Sequence, residues 1–128
     1  MTQREELEIK LKHAFKLDKF YDEQWETIER LLKGERVLLI EKTGFGKSLC
    51  FQFPATIFEG TTVIFSPLIA LMRDQVKKLN NLGIPAYFLV IMNRALWYLC
   101  VNNKSNICLV YSHAQSICRN YTFPLIVY

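Results

Sequence analysis

Residues 41–53, EKTGFGKSLCFQF, have the composition of a phosphate-binding loop that opens a helix. Glycine at positions 44 and 46 lets the backbone approach a phosphate closely. Lys47 can reach the outer phosphates of a nucleoside triphosphate, and the Ser48 hydroxyl can bind Mg²⁺. The full pattern G-x-x-x-x-G-K-[ST] has glycine where this chain has Glu41. The motif therefore depends on its context, and the alternative is a chance GxGKS in an ordinary loop.

Apolar runs on both sides of this loop predict strands of a buried sheet. RVLLIE (residues 36–41) comes directly before it, and TTVIFS (residues 61–66) follows after the length of one helix. Both runs are short and rich in aliphatic or β-branched residues. The helix predicted between them covers residues 47 to about 58, and Pro54 predicts a kink or an early end. A strand directly before the loop and a helix directly after it are what phosphate binding requires.

The next segment, LIALMRDQVKKLNNLG (residues 68–83), predicts an amphipathic helix that Gly83 closes. Its apolar face consists of Ile69, Met72, Val76 and Leu79. The order strand, helix, strand, helix predicts an α/β fold with a parallel sheet covered by helices.

Two further amphipathic helices are predicted before the loop. Residues 4–16 carry Leu7, Leu11 and Phe15 at helical spacing. In the second helix Asp22 is the candidate N-cap and Gly34 the C-terminal stop. The apolar face of this second helix consists of Trp25, Ile28 and Leu32.

The second half of the chain differs in composition. AYFLVI (86–91), ICLVYS (107–112) and FPLIVY (123–128) predict strands, RALWYLCV is ambiguous, and NNKSN predicts a turn. The formal net charge is +4, yet residues 75–128 contain no Asp or Glu. We expect the hydrophobic, acid-free tail 87–128 either to be out of frame or not to fold, and to favour aggregation.

The cysteines predict neither a metal site nor disulfides. Cys50, Cys100, Cys108 and Cys118 show no CxxC spacing and no histidine at zinc-ligand distance, so reduced thiols are expected. Secreted disulfides are the alternative. The N-terminus MTQREELEIK has no apolar signal-peptide core, and no uncharged run is long enough to span a bilayer. We therefore expect a cytoplasmic protein without a membrane segment.

Three ordered blocks of sequence resemble the N-terminal part of the RecQ-type ATP-dependent DNA helicases. The blocks are FKLDKFYDEQWETI (15–28), TGFGKSLCFQFPA (43–55) and VIFSPLIALMRDQV (63–76). The resemblance covers about Leu7 to Ala86. It implies a partial, truncated RecA-like P-loop helicase lobe, with residues 1–86 as the N-terminal part of the ATP-binding domain and residues 87–128 as the tail.

The resemblance also implies ATP and Mg²⁺ as ligands. Gln24 corresponds to a glutamine that hydrogen-bonds the adenine edge, since its amide offers both a donor and an acceptor. The two positions that stack the base in the family hold Leu17 and Tyr21 here. Tyr21 can stack, whereas the family's arginine contact is missing. The loop residues implied to bind ATP are Thr43, Gly44, Gly46, Lys47 and Ser48, with Lys47 and Ser48 in catalytic roles and Ser48 as the Mg²⁺ ligand.

A DNA contact is implied at Ser66, Pro67 and Leu68, which correspond to a motif that contacts the backbone of single-stranded DNA in the family. A hydroxyl and helix-start N–H groups suit phosphate oxygens. Further positive charge comes from Arg73, Lys77 and Lys78, for which a solvated helix face is the simpler interpretation. The implied partners are ATP and single-stranded or duplex DNA, without zinc.

By this resemblance the chain is a fragment of an enzyme that hydrolyses ATP and unwinds DNA in repair or recombination. The D-E-x-H acids of the family cannot lie in residues 75–128, and this sequence holds no second RecA-like lobe. We therefore expect neither efficient hydrolysis nor unwinding from this chain alone. Two alternatives stay open: a non-catalytic nucleotide- or DNA-binding remnant, and a non-functional truncated product.

Overall fold

The computed structural model describes residues 1–40, 46–59, 62–66, 69–89, 107–111 and 125–127. The chain divides into two compact units, the first consisting of Met1–Ile57 with Thr122–Tyr128 and the second of Phe58–Tyr121. In chain order the elements are α1 (Gln3–Phe15), α2 (Asp22–Leu32), β1 (Val37–Leu39), α3 (Lys47–Ile57), β2 (Thr62–Ser66), α4 (Ile69–Asn81), β3 (Ala86–Leu89), β4 (Ile107–Tyr111) and β5 (Leu125–Val127).

The described strands pair only in parallel, as the alternation of strands and helices predicts. In the first unit β1 pairs with β5, with Leu39 opposite Val127. In the second unit β4 lies between β2 and β3. Parallel neighbours require crossover connections, and here the strands that pair are distant in the chain. The predicted α/β class with a parallel sheet and flanking helices is confirmed.

All three hydrophobic runs predicted as strands in the second half of the chain contain a strand. AYFLVI contains β3, ICLVYS contains β4 and FPLIVY contains β5. RALWYLCV and NNKSN lie outside the described residues.

Helix α1 begins with a capping box and buries the predicted face. The Thr2 hydroxyl accepts the N–H of Glu5 at 3.3 Å, and the Glu5 carboxylate accepts the N–H of Thr2 at 2.7 Å. These bonds satisfy donors that the first helical turn otherwise leaves unpaired. Leu7, Leu11 and Phe15 are all buried.

Helix α2 corrects the sequence analysis at its start and on its buried face. Tyr21, not Asp22, is the N-cap, and Asp22 is the first helical residue. A carboxylate in the first turn is still favourable, because it faces the positive end of the helix dipole. The buried side includes the polar Gln24 and Leu31 in place of Leu32. Lys33 is the C-cap, and the predicted stop, Gly34, follows it with a φ of +80°.

Aromatic side chains form the centre of the first unit. The Phe53 ring lies 4.9 Å from the Phe20 ring in an edge-on arrangement and 6.1 Å from the Phe15 ring. All three are buried, and Trp25 packs on Phe20 at 5.9 Å. Phe15 and Phe20 are therefore core residues, Trp25 packs beside them half-buried, and α1, α3 and the segment before α2 meet at one cluster.

Helix α3 continues through Pro54 to Ile57, so the helix ends only three residues beyond the proline. Proline has no backbone N–H to donate. Because Pro54 lies near the end of α3, its presence costs the helix few hydrogen bonds. Cys50, one turn earlier, is fully buried and free, and its burial raises the pKa of its thiol to about 11. A thiol with such a pKa is inert at neutral pH, as expected for a packed, reduced cysteine.

In the second unit α4 packs on the three-stranded sheet through the predicted face. Met72, Val76 and Leu79 are buried. The Asn80 amide joins the end of α4 to β3: its Nδ2 donates to the Ala86 carbonyl at 3.0 Å, and its Oδ1 accepts the Ala86 N–H at 3.2 Å. Gly83 has a φ of +82° where the chain turns between the two elements.

Candidate nucleotide-binding site

The candidate phosphate loop connects β1 to α3 in the first unit. Its residues Thr43 and Gly44 lie outside the described part of the chain. Gly46 is the last residue before the helix and has a φ of +84°, a conformation that glycine adopts at little cost. The strand, glycine and helix thus follow one another in the order that the motif requires.

Gln24 joins the start of α2 to this loop. Its side chain is only 5% exposed. Gln24 Oε1 accepts the backbone N–H of Tyr21 at 2.9 Å, and Gln24 Nε2 donates to the carbonyl of Gly46 at 3.3 Å. An amide has two N–H groups and two acceptor lone pairs. One of each is therefore left for a ligand after these two bonds.

A side chain at position 46 would meet the end of the Gln24 side chain. A Cβ placed on Gly46 would lie 2.6 Å from Gln24 Nε2. At Gly34, which has nearly the same positive φ, a Cβ would meet nothing within 4 Å. Position 46 therefore favours glycine for its backbone conformation, and any Cβ there would also displace the amide of Gln24 from its bond to the Gly46 carbonyl.

Lys47 and Ser48 are the first two residues of α3, and both are half-buried. The first N–H groups of a helix have no carbonyl partner within it, and they carry the positive end of the helix dipole. The carbonyl of Gly46 accepts the N–H of Leu49 at 3.3 Å, which closes the first turn. The sequence therefore places the candidate phosphate lysine and hydroxyl at the helix end that favours anions.

Tyr21 and Leu17 lie in the segment between α1 and α2 and expose their side chains, Tyr21 by 66% and Leu17 by 46%. An aromatic ring with this exposure is available for stacking. The backbone of Tyr21 is held by Gln24, so the candidate stacking residue and the candidate adenine-reading residue are directly linked.

Arg4 positions this segment, a role that the sequence analysis missed. Its guanidinium donates to Asp22 Oδ1 at 2.8 Å, to the Phe20 carbonyl at 2.9 Å and to Glu8 Oε1 at 3.1 Å. Glu8 in turn accepts the N–H of Phe20 at 3.2 Å. Hydrogen bonds to Asp22 and then Glu8 raise the pKa of Arg4. In the sequence, only the spacing of four residues between Arg4 and Glu8 indicated an interaction of Arg4.

The candidate DNA-binding residues belong to the second unit. Ser66 ends β2, and Pro67 and Leu68 lie outside the described residues. Within the described ranges no group of three or more His, Cys, Asp or Glu side chains could hold a metal ion. No helix in the described part of the chain is long and apolar enough to cross a membrane.

Comparison with known proteins gives consistent results. The sequence model of the family "DEAD/DEAH box helicase" matches residues 21–107. The ATP-dependent DNA helicase RecQ of Haemophilus influenzae is 40% identical over 121 residues, which cover 92% of this chain and 20% of that protein. The protein of the same name from Synechocystis is 44% identical over 86 residues, covering 67% of this chain and 18% of that protein.

A solved structure shows the same fold. The crystal structure of a hypothetical ATP-dependent RNA helicase from Sulfolobus tokodaii superposes with a TM-score of 0.61 at 17% identity, covering 92% of this chain and 36% of that one. This chain spans about a fifth of the length of the curated relatives. The family match and the Haemophilus alignment both extend beyond Ala86, where the resemblance read from the sequence ends.

Proposed function

The chain belongs to the DEAD/DEAH box helicase family, in its RecQ branch, and we propose that it is the ATP- and DNA-binding N-terminal part of an ATP-dependent DNA helicase. The observation that carries the proposal is the contact of Gln24 with Gly46. It connects a residue suited to adenine with the glycine that opens the phosphate-binding helix. In the parent enzyme this part would serve unwinding in repair or recombination.

In the proposed nucleotide complex each residue has a separate task. The remaining N–H of Gln24 donates to adenine N7, and its remaining lone pair accepts from the adenine N6 amino group. The exposed Tyr21 ring stacks on the base. Thr43, Gly44 and Gly46 provide the backbone of the phosphate loop. Lys47 neutralises the outer phosphates as a positive charge at the start of α3.

The residues present fit Mg-ATP binding better than ATP hydrolysis. The positive φ of Gly46 and the helix N-terminus that follows it suit a phosphate chain. Ser48 would supply one hydroxyl ligand to Mg²⁺, which neutralises phosphate charge when bound. Hydrolysis also needs acids that hold the metal and orient water. Residues 75–128 contain none, which favours a nucleotide-binding role for this chain alone.

We propose that residues 1–86 form the N-terminal part of the ATP-binding lobe, and that β4 and β5 belong to the same lobe. The pairing of β4 with β2 and β3, and of β5 with β1, supports a tail that folds with the preceding residues. Ser66, the last residue of β2, and the next two residues in the sequence, Pro67 and Leu68, are the proposed contact with the DNA backbone.

Thermal unfolding with and without nucleotide tests the proposal. At Mg-ATP concentrations about 100-fold above Kd, the unfolding midpoint should rise by roughly 5–10 °C. Mg-GTP should give a smaller rise, because guanine has an acceptor where adenine has the N6 donor for Gln24 Oε1. The variant Lys47→Ala should lose the protection by ATP, measured against its own midpoint without nucleotide. Equal shifts for ATP and GTP would contradict the role of Gln24, and no shift with either would contradict nucleotide binding.

A further inference from the structure

A second positively charged surface lies on α4, in the second unit. The guanidinium of Arg73 is placed over the ring of Phe88 on β3, with its carbon 5.8 Å from the ring centroid. Arg73 is exposed and Phe88 half-buried. Stacking on an aromatic face restricts a long side chain and leaves the N–H groups at its edge open to another partner.

The sheet register places Phe88 near the end of the sheet where Ser66 lies. Both β2 and β3 pair with β4, and Ser66 is opposite Tyr111 while Phe88 is opposite Leu109. The two residues are thus two strands apart, or about 10 Å, and two residues apart along the strand direction, or about 7 Å. Arg73, packed over Phe88, therefore belongs to the same end of the sheet as the proposed phosphate contact.

Lys77 extends this charge by one turn of α4. It is exposed, and it lies four residues after Arg73 on the same side of the helix. The acid between them on the helix, Asp74, is paired with Lys78 at 3.3 Å. The positive charges of Arg73 and Lys77 are therefore not cancelled by the carboxylate of their own helix.

The whole second unit is basic. Residues 58–121 contain two acids, Glu59 and Asp74, and the basic residues Arg73, Lys77, Lys78, Arg94, Lys104 and Arg119. The remainder of the chain has equal numbers of acidic and basic side chains. A unit with this excess attracts polyanions without reading their sequence.

We propose that Arg73 and Lys77 form a second phosphate contact for single-stranded nucleic acid, which continues the proposed contact at Ser66 along α4. The inference rests on the proposed function, because it assumes that a strand crosses the end of the sheet at β2. Phe88 acts as a positioning residue that holds the Arg73 guanidinium toward this strand. Two cations one helical turn apart suit successive phosphates and carry no base specificity.

The salt dependence of binding measures this contact. The probe is a fluorescein-labelled oligothymidylate, and its anisotropy gives Kd between about 50 and 200 mM salt. The double variant Arg73→Gln/Lys77→Gln should bind several-fold more weakly. Its slope of log K against log salt should be smaller by about 1.4, since each phosphate contact on a single strand contributes about 0.7.

Two further variants separate this contact from general charge and from folding. Lys10→Gln/Lys33→Gln removes the same charge from α1 and the end of α2, and it should keep the wild-type slope. Phe88→Leu keeps the charge and most of the apolar packing. Phe88→Leu should keep the wild-type slope while weakening binding. A melting curve for each variant tests whether that variant folds.

The outcomes distinguish this proposal from the one on which it rests. If the wild-type chain binds the oligonucleotide and the Arg73/Lys77 double variant keeps the wild-type slope, the contact on α4 is refuted and DNA binding stands. The contact on α4 is also refuted, and DNA binding stands, if the Lys10→Gln/Lys33→Gln control lowers the slope as much as the Arg73/Lys77 double variant does. If the wild-type chain does not bind the oligonucleotide, both proposals are overturned.

Discussion

Gln24 makes one hydrogen bond to a residue near it in the chain, Tyr21, and one to a distant residue, Gly46. It was identified in the sequence from a resemblance to an adenine-binding glutamine, yet its burial and its bond to Gly46 were not foreseen. A glutamine on the polar side of a predicted helix is usually exposed. Here it is buried because the N–H of Tyr21 and the carbonyl of Gly46 satisfy its amide. The buried amide makes the start of α2 and the phosphate loop sensitive to the same substitutions.

Gly46→Ala should damage both folding and nucleotide binding. The substitution forces alanine into a positive φ and places its Cβ against Gln24 Nε2. A left-handed conformation alone costs about 1–3 kcal/mol for a residue other than glycine. We expect a loss of free energy of unfolding beyond that range and at least tenfold weaker ATP binding, measured by urea denaturation and nucleotide titration.

Gly34→Ala provides the matched control for Gly46→Ala. Its φ is +80°, but a Cβ there meets nothing within 4 Å. It should lose only the conformational part of the free energy and keep ATP affinity. In the double variant Gln24→Ala/Gly46→Ala the clash is removed, so its loss should be smaller than the sum of the two single losses. Strict additivity would show that the contact with Gln24 is unimportant.

At the scale of elements, short polar connections join helices to the segments that carry the site. Arg4 and Glu8 on α1 hold Phe20 and Asp22, and thereby the segment that presents Tyr21. In the second unit Asn80 holds the backbone of Ala86 as the chain turns from α4 into β3. Periodicity predicted these helices well, because each buries one apolar face. It gave no indication of these connections, since they depend on residues outside the repeating pattern.

Asn80→Ala should destabilise the second unit by about 1–3 kcal/mol, because it removes two hydrogen bonds to the backbone of Ala86. Asn81→Ala is the control: it is the adjacent, exposed residue of the same helix and type. It should change the free energy of unfolding by less than about 0.5 kcal/mol. Chemical denaturation followed by circular dichroism measures both. Equal effects of the two substitutions would mean that the Asn80 bonds contribute nothing specific.

At the scale of the whole molecule, the two units divide the proposed tasks. The first contains Gln24, Gly46, Lys47 and Ser48, and the second contains Ser66 and the positively charged side of α4. The resemblance read from the sequence ended at about Ala86, and residues 87–128 were expected either to be out of frame or not to fold. The family match runs to residue 107, beyond that limit. The segment after Ala86 carries no short motif with a glycine, lysine or acid at fixed spacing, so inspection gave no sign of the longer match.

The chain alone should bind ATP without DNA-stimulated hydrolysis. No carboxylate in residues 75–128 can orient water or hold Mg²⁺ through its water shell. A phosphate-release assay with and without single-stranded DNA should therefore give the same low rate for the wild-type chain and for Lys47→Ala. A DNA-stimulated rate that disappears in Lys47→Ala would contradict this prediction.

The amino-acid sequence alone predicted the order of the described helices and strands, the buried faces of α1 and α4, the parallel α/β class and the position of the candidate phosphate loop. These features depend on local periodicity, on glycine and on the residues of a short motif, all of which are contained in a few neighbouring positions. Only the tertiary structure decided that β4 lies between β2 and β3, that Arg73 packs over Phe88, and that Gln24 lies against Gly46. Each of these contacts joins residues far apart in the chain, so their energies arise from packing and hydrogen bonds that no local pattern encodes.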